Sequence, residues 1–400
     1  MTATSLRGHP QSSEGLLDMS PPPALTPDQH SQATAIFNQI VSRYEPLQAS
    51  RTSPSYKFIT LLRTFHESVV SKDSFLYHFF SFIDEQSQQD LNPRRSAILD
   101  ILPRFEDIHL WSSRESDDFQ DILAAFSEFL VNNFFLPLKA SGRRTPQPTP
   151  TSLSLSDMSD GVTGTPTRLS CLRKQCLIRD RYRCVISRKL DDTEAKARWA
   201  KYGPDSKDED GLLLKDEIPG FLQVAHILPH SLTSSSKNSQ LSESKKIALE
   251  ILKMFDSDAC SLIAGKAIDG PANAMSLTLD WHQRFGAFEI SFQPSNNQSP
   301  HSYKIDYADP NYPFRDPVLP VVRQLYMTSS NTKTIDPPSP RLLAIHHAIA
   351  CILHLSGAGD YIDHVIRDME EVSMEEDGSA ALGVYVRLKV DDWLNGVAVC

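Results

Sequence analysis

The 400-residue chain is short of cysteine, of long apolar runs and of positive charge, and each shortage closes a class of function. Its six cysteines stand at 171, 176, 184, 260, 351 and 400. None forms a Cys-x2-Cys pair, which argues against a zinc ribbon, and reduced thiols are expected. Met1 to Gly15 is polar and lacks the apolar centre of a secretory signal. The most apolar helical run, Leu342 to Leu355, is too short and too rich in histidine to cross a bilayer. The expectation is an intracellular protein, nuclear or cytoplasmic, with no membrane partner. A net charge of −10 argues against a protein that coats nucleic acid, although it leaves room for a local basic patch.

What remains is an ordinary globular composition, 40% hydrophobic and 22% charged, on a chain long enough for one to three cores. Residues 1–25 are rich in Ser and Pro and read as a disordered tail. Thr26-Pro27-Asp28 is a helix start: a capping hydroxyl, Pro in the first turn and an acid at the positive end. Ala33, Ile36, Phe37, Ile40 and Val41 then share one face as far as Tyr44. Further stripes, among them Phe58-Leu61-Leu62-Phe65 and Phe119-Ile122-Leu123-Phe126, extend an α-helical domain over 26–138 that buries its aromatic faces mutually. Residues 139–168, with Thr145-Pro-Gln-Pro-Thr-Pro-Thr151, cannot bury enough apolar surface to fold and read as a disordered linker.

A basic segment follows: Arg168, Arg173, Lys174, Arg179, Arg181, Arg183, Arg188 and Lys189, opposed within it only by Asp180. Arg179, Arg181 and Arg183, with Arg284 further on, are candidates for phosphate contacts with nucleic acid. The competing reading pairs these cations with the acids between Asp191 and Glu217. Ser242 to Asp256 reads as a helix. Phe288-Glu-Ile-Ser-Phe292 and Tyr303-Lys-Ile-Asp-Tyr307 read as a hairpin, and Asp309 to Pro320 as a loop. Ser339-Pro340 opens a helix that ends at Gly357, and Val384 to Val390 reads as a strand.

The stretch that carries chemistry runs from Leu222 to Phe292. An apolar run, Phe221 to Ile227, holds His226. A second, Ala274 to Leu279, follows Asn273, and a short helix from Asp280 holds His282. Strand, strand, helix, with Asn-x8-His spacing and a His-Ile-x-Pro run at His226 to Pro229, resembles the HNH nuclease family and its ββα-metal fold. The flanking residues are most similar to HNH domains found in many fungal proteins of unknown role. The resemblance covers Leu169 to Tyr307, about a third of the chain.

That resemblance implies an α+β fold: a helical domain, a linker, a ββα-metal domain over 169–330 with a helical insertion and a flanking β-hairpin, and a C-terminal helix and tail over 331–400. It implies a metal-dependent endonuclease acting on nucleic acid, DNA first. His226 would be the general base on water, Asn273 the brace that aims it, and His282 a metal ligand, with Mg2+ or Mn2+ as the ion and Zn2+ a lesser expectation. One position departs from the family. The residue before the first His, usually a ligand, is Ala225, so something else must complete the coordination: the candidates are His230, Asp280, Asp216 and Glu217, besides water and the phosphate itself. The alternative is an HNH domain that has lost catalysis and binds nucleic acid or a protein, with the N-terminal helices as the protein-binding surface.

Overall fold

The computed structural model describes residues 24–48, 54–87, 98–142, 165–234, 241–295, 299–325, 335–372 and 380–394. Nearly all of the expected N-terminal tail, and the centre of the expected linker, lie outside the described residues. The fold is α+β. Helix α1 (Pro27–Tyr44) starts at a reciprocal cap, in which Thr26 Oγ1 accepts from Gln29 N and Gln29 Oε1 accepts from Thr26 N. It packs with α2 (Phe58–Ser68), α3 (Lys72–Ser87) and α4 (Ser113–Leu130), whose own cap pairs Ser112 with Glu115. A π-helical turn, Val131–Phe135, carries α4 into α5 (Leu136–Gly142). The continuous helix Ser113–Gly142 is long and apolar enough to cross a bilayer, yet 72% of its apolar window is buried inside the protein. The protein's own core therefore accounts for its apolar character. Helices α6 (Thr165–Arg179) and α7 (Asp192–Tyr202) lead to the sheet.

Strand β1 (Leu222–His226) pairs antiparallel with β2 (Ala274–Thr278), in a register that sets Leu222 opposite Thr278 and His226 opposite Ala274. The insertion between them carries α8 (Glu243–Phe255). Helix α9 (Leu279–Gly286) follows β2 directly and completes a ββα unit. A second sheet, β3 (Ile290–Pro294), β4 (Ser302–Tyr307) and β5 (Val321–Gln324), extends the expected hairpin by an edge strand. Helix α10 (Pro340–Ser356) runs between the Ser339 cap and Gly357, whose φ of 74° closes it, and lies between α2 and β3. Helix α11 (Ala358–Val372) continues the chain.

The segment expected as a strand, Val384 to Val390, is instead part of helix α12 (Ala380–Val390), packed on α11. Its β-branched residues gave way to tertiary contact: Leu388 is buried, and Trp393 just beyond is buried against the start of α8. One large hydrophobic core joins the N-terminal helices, the ββα unit, the second sheet and the C-terminal helices, and a smaller cluster lies between α6 and the β1–β2 ribbon. Phe255 at the end of α8 lies 4.5 Å from Phe65 and 5.4 Å from Phe134, ring centre to ring centre, so the β1–β2 insertion is seated among the N-terminal helices.

Candidate metal centre

His226 ends β1. Successive strand side chains point to opposite faces, so His226 shares a face with Val224, which packs on Leu172 and Cys176 of α6. Two short 3-10 turns, Gly265–Asp269 and Pro271–Asn273, bring the chain back to this end of the strand. They place Asp269 Oδ1 3.2 Å from His226 Nε2 and 2.7 Å from His230 Nδ1. The other carboxylate oxygen lies 3.3 Å from Arg168 Nε. The side chains of His226 and Asp269 are each 1% exposed, and that of His230 is 12% exposed.

Burial by itself would raise the Asp269 pKa, but hydrogen bonds from His226 and His230 and the charge of both rings hold it well below the usual carboxylate range. An ionised carboxylate only accepts, so both rings must donate to it. That fixes His226 with its proton on Nε2. Its Nδ1 is then a bare, buried lone pair with no hydrogen-bond partner among the described residues. Burial also lowers the His226 pKa, against the pull of Asp269, so the ring is neutral.

The three donor atoms lie within 4.8 Å of one another. Ligands on a tetrahedral ion at 2.0–2.1 Å sit about 3.3 Å apart, so the trio needs little movement to close on one. Two imidazoles and a carboxylate suit a divalent transition metal better than Mg2+, which prefers a shell of oxygen.

Asn273 is fully buried and braces the site. Its Oδ1 accepts from Leu228 N at 3.0 Å, while Nδ2 donates to Leu228 O at 3.0 Å and Ile268 O at 2.9 Å. It thereby ties the chain just past His226 to the residue beside Asp269. His282 is outside the trio. Its Nδ1 faces Gln223 Oε1 at 2.6 Å, and strand alternation puts Gln223 on the face of β1 opposite His226. Burial, and secondarily the charge of His226, lower the His282 pKa to about 4.

The expected carboxylate ligands need correction. Asp280 is exposed at the start of α9 and is not in the trio. Asp216 is exposed, and Glu217 is bound to Arg183. The carboxylate that meets His226 and His230 is that of Asp269 instead. Its only trace in the sequence is an acid four residues before Asn273, in Asp269-Gly-Pro-Ala-Asn273.

The basic segment is also corrected, because much of its charge is neutralised internally. Arg179 is buried, with its fork on Asp180 at 2.8 and 3.0 Å and further bonds to the carbonyls of Pro271 and Ala274. Arg183 is buried between Asp208 and Glu217, each at 2.7 Å. Arg181 binds Asp210, and Arg173 binds Asp191 at 3.5 Å. Arg179 and Arg183 are thus internal struts and not phosphate contacts. Arg284, half-buried, lies over Tyr307 and Tyr312 at 5.5 Å from each ring and pairs with Glu289.

A two-stranded ribbon followed by a helix, with an Asn-braced histidine at the end of the first strand, is the ββα-metal arrangement. Residues 184–293 match the family model HNH_2, described as HNH endonuclease, so the chain carries a domain of the HNH family. No curated protein and no solved structure matches the chain. The matched segment contains the whole trio together with Asn273 and His282, and excludes Arg168.

Proposed function

We propose that the HNH domain hydrolyses phosphodiester bonds in nucleic acid, DNA first, with a divalent ion held by His226, His230 and Asp269. The observation that carries this reading is the convergence of two ring nitrogens and a carboxylate oxygen within 4.8 Å, inside a segment that matches an HNH endonuclease family. An ion bound there would supply a nucleophilic hydroxide near neutral pH and offset charge growing on the phosphate. The chain's own part is to bring the two imidazoles of His226 and His230 to the carboxylate of Asp269 and to keep that carboxylate ionised. Asn273 holds the segments carrying the ligands together. The donor set favours Mn2+ or Zn2+. Mg2+ would depend on oxygen from water and the phosphate itself.

The test is plasmid nicking with Mn2+, Zn2+ or Mg2+ added to metal-stripped protein. Wild type should convert supercoiled to open-circular DNA, and His230→Ala and Asp269→Ala should not. Equal products from wild type and Asp269→Ala would remove this function.

The burial of the trio supports a second reading. Only His230 has appreciable exposure, which also suits a domain that no longer cuts and serves as a binding module, with residues 26–138 offering a surface to a protein partner. That module would retain DNA or a protein without product under any ion, and metal-dependent nicking that Asp269→Ala abolishes would rule it out.

A further inference from the structure

The three ligands of the candidate centre are held by different means. His226 belongs to the β1–β2 ladder, and Asp269 stands beside Ile268, whose carbonyl Asn273 binds. His230 lies past Pro229 in the 3-10 turn His230–Leu232, outside any ladder, and is the most exposed of the three. That turn is fastened by Lys245 of α8. Lys245 Nζ donates to Ser234 O at 2.7 Å and to Ser234 Oγ at 2.9 Å. Ser234 Oγ donates to Ser231 O at 3.1 Å, and Thr233 N donates to His230 O at 3.3 Å. An ammonium carries three protons. The third goes to Asp392 O at 3.2 Å, with the Asp392 carboxylate 3.8 Å away.

The Lys245 side chain is 1% exposed. Burial pulls its pKa down to about 8, against the charges of Asp392 and Asp391, so the group is still an ammonium at neutral pH. A lysine this far from water is rare unless its protons are placed. The end of the chain is shaped to receive it. Trp393 N donates to Leu388 O at 2.9 Å and Asp392 N to Lys389 O at 3.1 Å, with Asp392 at φ 64°. These two bonds turn a helix end back on itself, and glycine usually takes the left-handed place. Asp392 holds it despite the strain. Trp393 is buried, its ring centre 5.7 Å from Lys245 Nζ and its Nε1 donating to Ser244 Oγ at 3.1 Å.

We propose that Lys245 is a positioning residue for His230, and that Asp391–Trp393 is a clasp that holds Lys245 in that role. One buried ammonium joins the turn carrying the ligand to the end of α12, well beyond the segment matched to the family. Without it, the His230 ring loses its fixed approach to Asp269 and to an ion between them. This role rests on the metal-centre reading above, and not on cleavage of nucleic acid.

The experiment titrates the metal-stripped full chain with Co2+, and with Zn2+ against a chromophoric chelator. Lys245→Met keeps the stem against Trp393 and removes the ammonium. Uptake should weaken roughly tenfold, and the visible band of bound Co2+, which reports ligand geometry, should shift toward that of His230→Ala. A lysine with a structural role alone would change the melting temperature and leave that band in place. Trp393→Ala should act in the same direction. On a His230→Ala background, Lys245→Met should weaken the remaining uptake no further. Thermal melting without metal checks folding. Should Lys245→Met melt early, Ser234→Ala takes its place: it removes one of the two bonds to the turn, and a loss of roughly threefold is expected.

Wild-type affinity and an unchanged Co2+ band in a folded Lys245→Met or Ser234→Ala protein would overturn the role. So would an equal loss on the His230→Ala background, because the lysine would then act on something other than His230. A wild type that takes up neither Co2+ nor Zn2+ would remove the metal centre and this role with it. Lysine-dependent uptake by a protein that nicks nothing with any ion would leave the role standing and remove only the phosphodiesterase.

Discussion

Replacing Asn273 by Ala removes a carboxamide that makes three buried hydrogen bonds, to Leu228 N, Leu228 O and Ile268 O. No other described side chain bonds these groups, and each buried group left unpaired costs about 1–3 kcal/mol. Carbonyls tolerate the loss better than an N–H does, so the sum is roughly 3–5 kcal/mol. At ~2–4 °C per kcal/mol for a domain of this class, the melting temperature should fall by about 6–20 °C. Circular dichroism on the metal-stripped protein reads that shift directly. Asn273→Asp sharpens the reasoning. It keeps an acceptor for Leu228 N but turns a second oxygen toward two carbonyl oxygens, so it should be no milder than Ala. A fall of less than about 3 °C for Ala, or recovery of stability by Asp, would show that Asn273 is not the brace its hydrogen bonds describe.

Adding Zn2+ or Mn2+ at a hundred times its Kd should raise wild-type stability by ~2.7 kcal/mol, and Asp269→Asn should abolish the gain in the same thermal melt. His66, His78 and His282 have pKa values lowered to about 4, and His346 to about 3, each chiefly by burial. The unfolded chain takes up these protons first, near pH 6.5, so stability is full above that pH and declines as pH falls toward about 4. His282→Gln should flatten the dependence by ~3 kcal/mol, read as urea midpoints at the two ends of that window. A Cβ on Gly142 would stand 2.4 Å from Gly286 O. Gly142→Ala should therefore push α5 off the end of α9 at a cost of about 1–3 kcal/mol, seen as a lower melting temperature.

Elements whose signals are local could be read from the sequence. The capping residues Thr26 and Ser339, the terminal Gly357 and the two apolar runs on either side of Asn273 marked α1, α10, β1 and β2 to within a few residues, because caps and periodicity act over a single turn or pleat. β5 was hidden because four residues on a sheet edge, alternately half-buried and exposed, carry almost no pattern. The site was readable only where residues lie close in sequence. His226 and His230 share one short run, whereas Asp269 reaches them across the whole insertion. The arginines misled for the same reason. Arg181 and Arg183 find Asp210, Asp208 and Glu217 only because the chain after α7 folds back, bridging Asp191 to Gly220. A charge run shows how much charge there is, while its destination is a tertiary fact.

The candidate metal centre sits within the matched segment, yet its geometry is set from outside it. The stretch from Asp256 to Asn273, which carries Asp269, is held at both ends by the last third of the chain. Arg341 binds Asp256 through Nε at 2.6 Å, and Ser339 N donates to Ala272 O at 2.8 Å. Behind α9, His346 stacks on Phe285 at 3.9 Å and on Phe288 at 4.6 Å. In front, Val70 N donates to Phe255 O at 2.9 Å, and Phe65 and Phe134 enclose that ring. Residues 184–293 alone would expose Phe255, Phe285 and Phe288 together and release both tethers of the Asp269 segment. Burying each such ring is worth about 1.5–3 kcal/mol, a large part of the 5–15 kcal/mol that holds a domain folded. The excised segment should therefore show little fixed near-ultraviolet dichroism and no stoichiometric metal uptake, while the full chain shows both. A folded, metal-binding fragment would mean that these outer contacts merely decorate the site.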